Sequence, residues 1–73
     1  MQFYEKIREL REDHDIKQET MADLLGVGQS YYSKQERGLK PFQVEQIITI
    51  CNYFRVSADY ILGIPKNYNW PRG

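Results

Sequence analysis

The chain has 73 residues, enough for one small domain with a correspondingly small core. Ten basic residues balance ten acidic ones, so the overall charge does not indicate a nucleic-acid partner. A single cysteine excludes a disulfide framework and a cysteine-rich zinc site, and no apolar run approaches the roughly 20 residues that span a bilayer. Because the first turns are charged, unlike a signal peptide, we expect a cytoplasmic protein with no membrane partner.

Apolar residues in the first half of the chain recur at helical spacing, and no window alternates as a strand would. The pattern predicts helix 1 over about 3–13, helix 2 over about 18–25 and helix 3 over about 29–37. A Gly-Val-Gly turn separates the second and third helices. Gly38 is suited to end helix 3 because glycine readily adopts positive φ.

The second half predicts helix 4 over about 44–54 and helix 5 over about 58–62. Pro65 stops the last helix, so residues 1–64 are the expected domain and 65–73 a flexible tail. If Gln43 is the N-cap of helix 4, the residues before and after it can form a hydrophobic staple. The residues expected to face inward on helix 4 are Val44, Ile47, Ile48, Cys51 and Phe54.

Residues 18–37 fit a helix-turn-helix unit position by position. Ala22 is small where helix 3 would cross closely over helix 2, and Gly26 can take positive φ in the turn. Met21 and Leu25 supply apolar contacts that fix the crossing angle. The alternative is an αα-hairpin that merely packs.

Several coupled motifs carry a family resemblance over about Ile7 to Gly63. On these motifs the chain resembles the Xre/Cro-like helix-turn-helix family of phage and bacterial repressors. The resemblance implies an all-α, compact five-helix, lambda-repressor-like domain that binds a double-stranded DNA operator, usually an inverted repeat bound by a homodimer. The motifs are Arg11, Gln18, Met21-Ala22, Leu25-Gly26-Val27, Glu36-Arg37-Gly38 and VSADYILG.

Neutral hydrogen-bonding side chains cover much of helix 3, where small proteins usually expose Glu and Lys. In the DNA major groove glutamine pairs with adenine, lysine with guanine and serine with either, while an aromatic edge can touch a thymine methyl. For the tyrosine at position 31, packing or a phosphate contact is an equal alternative. The predicted base-contacting residues are Gln29, Ser30, Tyr31, Ser33 and Lys34.

Phosphate contacts are predicted at both ends of the helix-turn-helix. Gln18 matches the family's phosphate-binding glutamine, and Arg37 and Lys40 follow helix 3. Lys17 cannot cap helix 2, and its charge opposes the helix dipole, so we hypothesise that a DNA phosphate completes this helix end. The alternative for the charged positions is an ordinary solvated face.

Two further sets of residues follow from the resemblance. Arg11 and Glu36 match a largely buried structural ion pair, and the dimer interface maps to Ala58, Tyr60 and Gly63. Tyr60 could instead fill the core. The aromatic tail residues, Tyr68 and Trp70, could extend the dimer contact.

Two positions of helix 3 depart from the family pattern, which usually has Ile or Val at Tyr32 and an apolar residue at Gln35. A buried tyrosine is acceptable when its hydroxyl finds water or a partner. A buried, unpaired amide costs a few kcal/mol. We therefore expect helix 3 to be rotated or frayed near its end, or Gln35 to reach the surface.

No catalytic constellation, metal site, cofactor site or small-molecule substrate site is evident. His14 has no second histidine or cysteine at ligand spacing, and Cys51 lies on an apolar stripe. The leading hypothesis is a sequence-specific transcriptional regulator, most simply a repressor, and an antitoxin-type autoregulator encoded beside a partner gene is a close variant. A protein-interaction module that uses the same scaffold is the alternative, and an enzyme is the remote third.

Overall fold

The computed structural model describes residues 2–64, so the predicted tail, with Tyr68 and Trp70, lies outside the described residues. The predicted bounds are confirmed, except that the third helix ends at Glu36 with Arg37 as its C-cap. No helix in residues 2–64 has the length and apolarity that crossing a membrane requires. The helices are α1 (Phe3–Asp13), α2 (Gln18–Leu25), α3 (Gln29–Glu36), α4 (Val44–Phe54) and α5 (Ala58–Leu62).

Glycines in the left-handed conformation follow three of these helices, α2, α3 and α5. Gly26 has φ 71° and follows α2, and the next amide, of Val27, donates to the Ala22 carbonyl at 3.0 Å. Gly38 has φ 80°, and a Cβ there would lie 2.6 Å from Cζ of Tyr4. Only glycine suits this second position without a shift of the Tyr4 ring, because both the backbone and the neighbouring ring exclude a side chain.

All five helices contribute to one small core. α2 packs on α3, and α1 packs on both α3 and α5. Each large apolar side chain in this core contributes about 1.5–3 kcal/mol through burial. The buried apolar residues are Ile7, Leu10, Met21, Ala22, Tyr32, Ile50, Phe54 and Ile61.

The predicted inward face of α4 is wrong in part. Val44 is 71% exposed and Ile48 is 54% exposed, whereas Ile50, which was not predicted, is fully buried. Ile47 and Cys51 are half-buried against the core. Apolar residues occupy most sides of α4, so their spacing alone did not identify which side the neighbouring helices cover.

The expectations for Gln35 are also wrong. Its side chain is fully buried, and α3 is a regular helix through the next residue. The amide nitrogen donates to the Pro41 carbonyl and to Oε1 of Gln46, each at 2.8 Å. The same Gln46 oxygen accepts from the Gln43 N–H at 2.8 Å. Partners from the following loop and from α4 therefore satisfy the nitrogen of the buried amide.

Candidate nucleic-acid interface

α3 has two distinct sides. Tyr32, Gln35 and Glu36 are buried on the inner side. At about 100° of rotation per residue, the other side carries a continuous arc of polar side chains spanning about 140°. We call it the α3 polar arc, and its members are Gln29, Ser30, Ser33, Lys34 and Arg37.

The α3 polar arc brings four predicted base-contacting residues together on one surface. Gln29, Ser30 and Lys34 are exposed, and Ser33 is half-buried. Tyr31 is 37% exposed and lies at the edge of the arc, next to the position of Gln35. The arc combines amide, hydroxyl and ammonium groups, so it can donate and accept hydrogen bonds at several points.

The predicted phosphate-contacting residues lie before α2 and after α3. Lys17 is exposed at the N-cap of α2, where no described side chain caps the helix. Gln18 is half-buried, and its amide nitrogen donates to Oε1 of Glu36 at 3.1 Å. Arg37 and Lys40 are exposed, and Arg37 Nε lies 3.4 Å from the Ser33 carbonyl.

A buried ion pair holds the inner side of α3 to α1. Arg11 Nε and Nη2 donate to the two carboxylate oxygens of Glu36, both at 2.8 Å. The third contact of the guanidinium, through Nη1, is to the Ile16 carbonyl at 2.9 Å. The side chains are only 14% and 3% exposed. Together with Gln18, the pair links α1, α2 and α3 at one point.

The environment of the pair fixes the charge of its members. Burial alone would raise the pKa of Glu36, but hydrogen bonds from Arg11 and Gln18 outweigh it and lower the pKa below its usual value. The hydrogen bond to Glu36 raises the pKa of Arg11. Burial raises the pKa of Tyr32, whose hydroxyl faces the carboxylate but makes no hydrogen bond within residues 2–64.

The residues predicted at a dimer interface, Ala58, Tyr60 and Gly63, are all exposed on α5 or at its end. Tyr60 does not fill the core, since it is half exposed, and the ammonium group of Lys6 lies 5.0 Å from its ring centroid. Sequence reasoning missed a neighbouring apolar groove. Its lining residues are Phe3, Phe42, Val44, Ile47, Ile48, Ala58 and Leu62.

The histidine and the cysteine lie apart from the α3 polar arc. His14 caps the end of α1, with Nδ1 2.8 Å from the Leu10 carbonyl and its ring 5.0 Å from that of Phe54. Cys51 is half-buried, and burial raises the pKa of its thiol. Within residues 2–64 no group of acidic, histidine and cysteine side chains is arranged to hold a metal ion.

Two helices joined by a glycine turn, the second with a buried inner side and an exposed polar arc, define a helix-turn-helix domain. Residues 7–61 match the family model HTH_3, described as helix-turn-helix, and the chain belongs to that family.

The relatives of this chain include a transcriptional regulator, a transcriptional repressor and an antitoxin. It is 29% identical to the uncharacterised HTH-type transcriptional regulator YobD of Bacillus subtilis, over 85% of this chain and 55% of YobD. It is 35% identical to the antitoxin PezA of Streptococcus pneumoniae, over 86% and 40% of the two chains. It is 33% identical to the CTXphi transcriptional repressor RstR from Vibrio cholerae, over 74% of this chain and 49% of RstR. The chain thus spans about half, or less, of these relatives.

Among solved structures, the fold is similar to that of the P22 c2 repressor protein in complex with a synthetic operator. The TM-score is 0.74 and the sequences are 26% identical. The match covers 85% of this chain and 94% of that one. The likeness therefore includes nearly the whole of the compared repressor chain.

Proposed function

We propose that this domain binds double-stranded DNA sequence-specifically and regulates transcription, most simply as a repressor. The observation that carries the proposal is the α3 polar arc, which is exposed while the buried network of Glu36 and Gln35 holds the opposite side of the helix. The family assignment and the named regulators among the relatives support it.

In this proposal α3 enters the major groove and the α3 polar arc meets base edges. Gln29 suits adenine and Lys34 suits guanine, while Ser30 and Ser33 can pair with several bases. Ser33 is half-buried and short, so its contribution is close fit rather than reach. Tyr31, at the edge of the arc, is placed for a thymine methyl or the backbone.

Phosphate contacts on both sides would fix the register of α3. Lys17 and Gln18 lie at the start of α2, and Arg37 and Lys40 lie after α3. A glutamine amide has two N–H donors, and one described bond, to Glu36, uses one of them. The other suits a phosphate oxygen, so Gln18 would link the DNA backbone to the buried ion pair.

We further propose that the domain acts as a homodimer on an inverted repeat. One recognition helix reads only a few base pairs, and two half-sites add specificity. The supporting observation is the apolar groove between α4 and α5, where Val44, Ile48 and Leu62 are exposed beside Ala58. Exposed apolar residues clustered in this way are typical of interaction surfaces.

An antitoxin-type autoregulator with a protein partner is the second candidate. The relative PezA, 35% identical, is named as an antitoxin, and this chain spans 40% of it. In that case the groove between α4 and α5 would be shared between dimer and partner contacts. A module that recognises only protein, through α3, would show no salt-dependent DNA binding.

The test is selection of the full chain against a randomised duplex pool, followed by a salt titration on the enriched duplex. We expect an inverted repeat with half-site centres about one helical turn apart, and affinity that falls steeply with salt. Lys34→Ala should relax the preference at one base of each half-site, at about 1–3 kcal/mol of discrimination. Lys6→Ala removes an equal charge on α1, beside Tyr60, and should leave that preference unchanged.

Sequence-blind binding by the unaltered chain, or none, would overturn the proposal and favour the protein-only module. Enrichment of a single half-site without repeat symmetry would remove the dimer from the proposal and leave DNA recognition intact. An unchanged base preference for Lys34→Ala would remove α3 as the reading element.

The uncapped start of α2 gives a second, independent prediction. Lys17→Ser supplies a capping oxygen, so the free energy of unfolding should rise by about 1 kcal/mol. The same change removes a positive charge from the proposed phosphate site, so DNA affinity should fall. Lys17→Gln is the control, since it removes the charge without a comparable cap. Urea unfolding and DNA titration give the two values, and tighter DNA binding by Lys17→Ser would contradict the phosphate hypothesis.

A further inference from the structure

The buried amide of Gln35 joins α3 to the loop that follows it. Its nitrogen donates to the Pro41 carbonyl and to Oε1 of Gln46, each at 2.8 Å. Its own oxygen, Oε1, finds no partner among residues 2–64. The side chain therefore acts as a donor only, and its one described role is to hold the end of the loop and the start of α4.

The same loop is held to α3 at its beginning. The Leu39 amide donates to the Lys34 carbonyl at 2.8 Å, and the Gly38 amide donates to the Gln35 carbonyl at 3.0 Å. Lys40 lies between Leu39 and Pro41, so both of its neighbours are hydrogen-bonded to α3. The backbone of Lys40 is thus fixed relative to the α3 polar arc, while its side chain is exposed.

We propose that Gln35 is a positioning residue for DNA binding: it fixes the loop so that Lys40 meets a phosphate in register with the bases that α3 reads. This inference rests on the proposed function. A buried amide with an unpartnered oxygen is unfavourable by itself, and an apolar side chain would avoid that penalty. The donor to Pro41 is what an apolar side chain cannot supply.

The test compares Gln35→Met and Lys40→Gln on the duplex enriched from the randomised pool. Each variant should bind the duplex roughly three- to tenfold more weakly near physiological salt. The salt slope, which is the steepness of the fall of log affinity with log salt concentration, should decrease by about 1. Base preference should stay that of the unaltered chain. A side chain that only supported the fold would leave the salt slope of the folded protein unchanged.

A double-variant cycle separates positioning from general damage. Gln35→Met combined with Lys40→Gln should bind no more weakly than Lys40→Gln alone, because the charge that Gln35 positions is already gone. Gln35→Met combined with Lys17→Gln is the matched control. Its loss of DNA affinity should equal the product of the fold-losses of the two single variants, because Gln35 does not position Lys17. Amide hydrogen exchange at Leu39 should be faster in Gln35→Met, and this measurement needs no DNA.

Gln35→Leu provides a second apolar variant. The weaker binding and the lower salt slope are expected of whichever of the two variants stays folded, as judged by its helical circular dichroism. If the affinity losses of Gln35→Met and Lys40→Gln are independent of each other, or if the salt slope is unchanged, the proposed function is not affected but the role of Gln35 is overturned. Unfolding of both variants would overturn it too, by assigning the amide to the core. If the unaltered chain binds no DNA, the proposed function fails first, and faster exchange at Leu39 would then describe only a structural clamp.

Discussion

Replacing Arg11 with methionine is expected to lower the free energy of unfolding by about 3–5 kcal/mol. The carboxylate of Glu36 is 3% exposed, and the variant would remove two of its three described donors, at 2.8 Å each. The Ile16 carbonyl would also lose its bond to the guanidinium. A domain of this size is stable by roughly 4–11 kcal/mol, so urea unfolding at neutral pH should show a large shift.

A double variant shows whether the loss comes from an uncompensated charge. Replacing a buried pair with apolar side chains is often neutral, whereas removing one member is strongly destabilising. Arg11→Met with Glu36→Leu should therefore be more stable than Arg11→Met alone. A cost below about 1 kcal/mol for Arg11→Met would mean that the pair is effectively solvated.

Acid titration provides a second measurement on the same pair. The pKa of Glu36 is lower in the folded protein than its ordinary value of 4.5. Its contribution to stability is therefore fully present above about pH 4.5 and is lost as pH falls through the lower folded value. Glu36→Gln should remove this part of the acid dependence, although the variant is less stable at neutral pH. An identical acid profile for the two proteins would contradict the lowered pKa.

The buried pair matters for function because of where it lies. Glu36 is the last residue of α3, and Gln18, at the start of α2, bonds to the same carboxylate. One group thus orients the N-terminus of α2 against the C-terminus of α3. A change at Arg11 would therefore be expected to disturb the placement of the α3 polar arc as well as the stability of the fold.

Local signals in the sequence account for the helices and their ends. The glycines at 26 and 38 adopt positive φ, and Ser57 caps α5 by accepting from the Tyr60 amide at 3.1 Å. These features depend on residues within one or two turns, which is why spacing and cap chemistry predict them. The exposed side of α3 also follows from helical periodicity. The buried positions, Tyr32, Gln35 and Glu36, lie on one side of the helix, so the polar residues lie on the opposite, exposed side.

The errors arose where distant partners decide the outcome. A rule on unpaired amides predicted either a rotated or frayed end of helix 3 or an exposed Gln35. The acceptors that satisfy its nitrogen come from Pro41 and Gln46, six and eleven residues away. On α4 the choice between burying Ile48 and burying Ile50 depends on how α2 and α5 pack beside it. Neither arrangement can be obtained from local pattern. Which side chains would meet DNA in the proposed function is likewise decided by a partner that the chain alone does not specify.

Substitutions of Tyr32 give the second prediction with a large expected effect. Two variants distinguish what the ring contributes to stability from what the hydroxyl contributes. The Tyr32 side chain is fully buried, and its ring meets that of Phe42 edge to face with centroids 6.4 Å apart. Tyr32→Ala leaves a cavity in a small core and should lower the free energy of unfolding by about 3–5 kcal/mol. Tyr32→Phe keeps the ring and removes a buried hydroxyl without a hydrogen-bond partner, so stability should stay the same or rise by about 1 kcal/mol.

Alkaline titration of the Tyr32→Phe variant isolates the hydroxyl. Burial raises the pKa of Tyr32 above its ordinary value of 10, so the folded protein keeps a proton that the unfolded chain releases. The resulting stability is present below about pH 10 and is lost as pH rises above it. The unaltered chain should therefore lose more stability than Tyr32→Phe in that range. Equal alkaline losses would contradict the raised pKa of Tyr32. A cost above about 1 kcal/mol for Tyr32→Phe at neutral pH would instead show that the hydroxyl has a hydrogen-bond partner in the folded protein, with the Glu36 carboxylate as the group it faces.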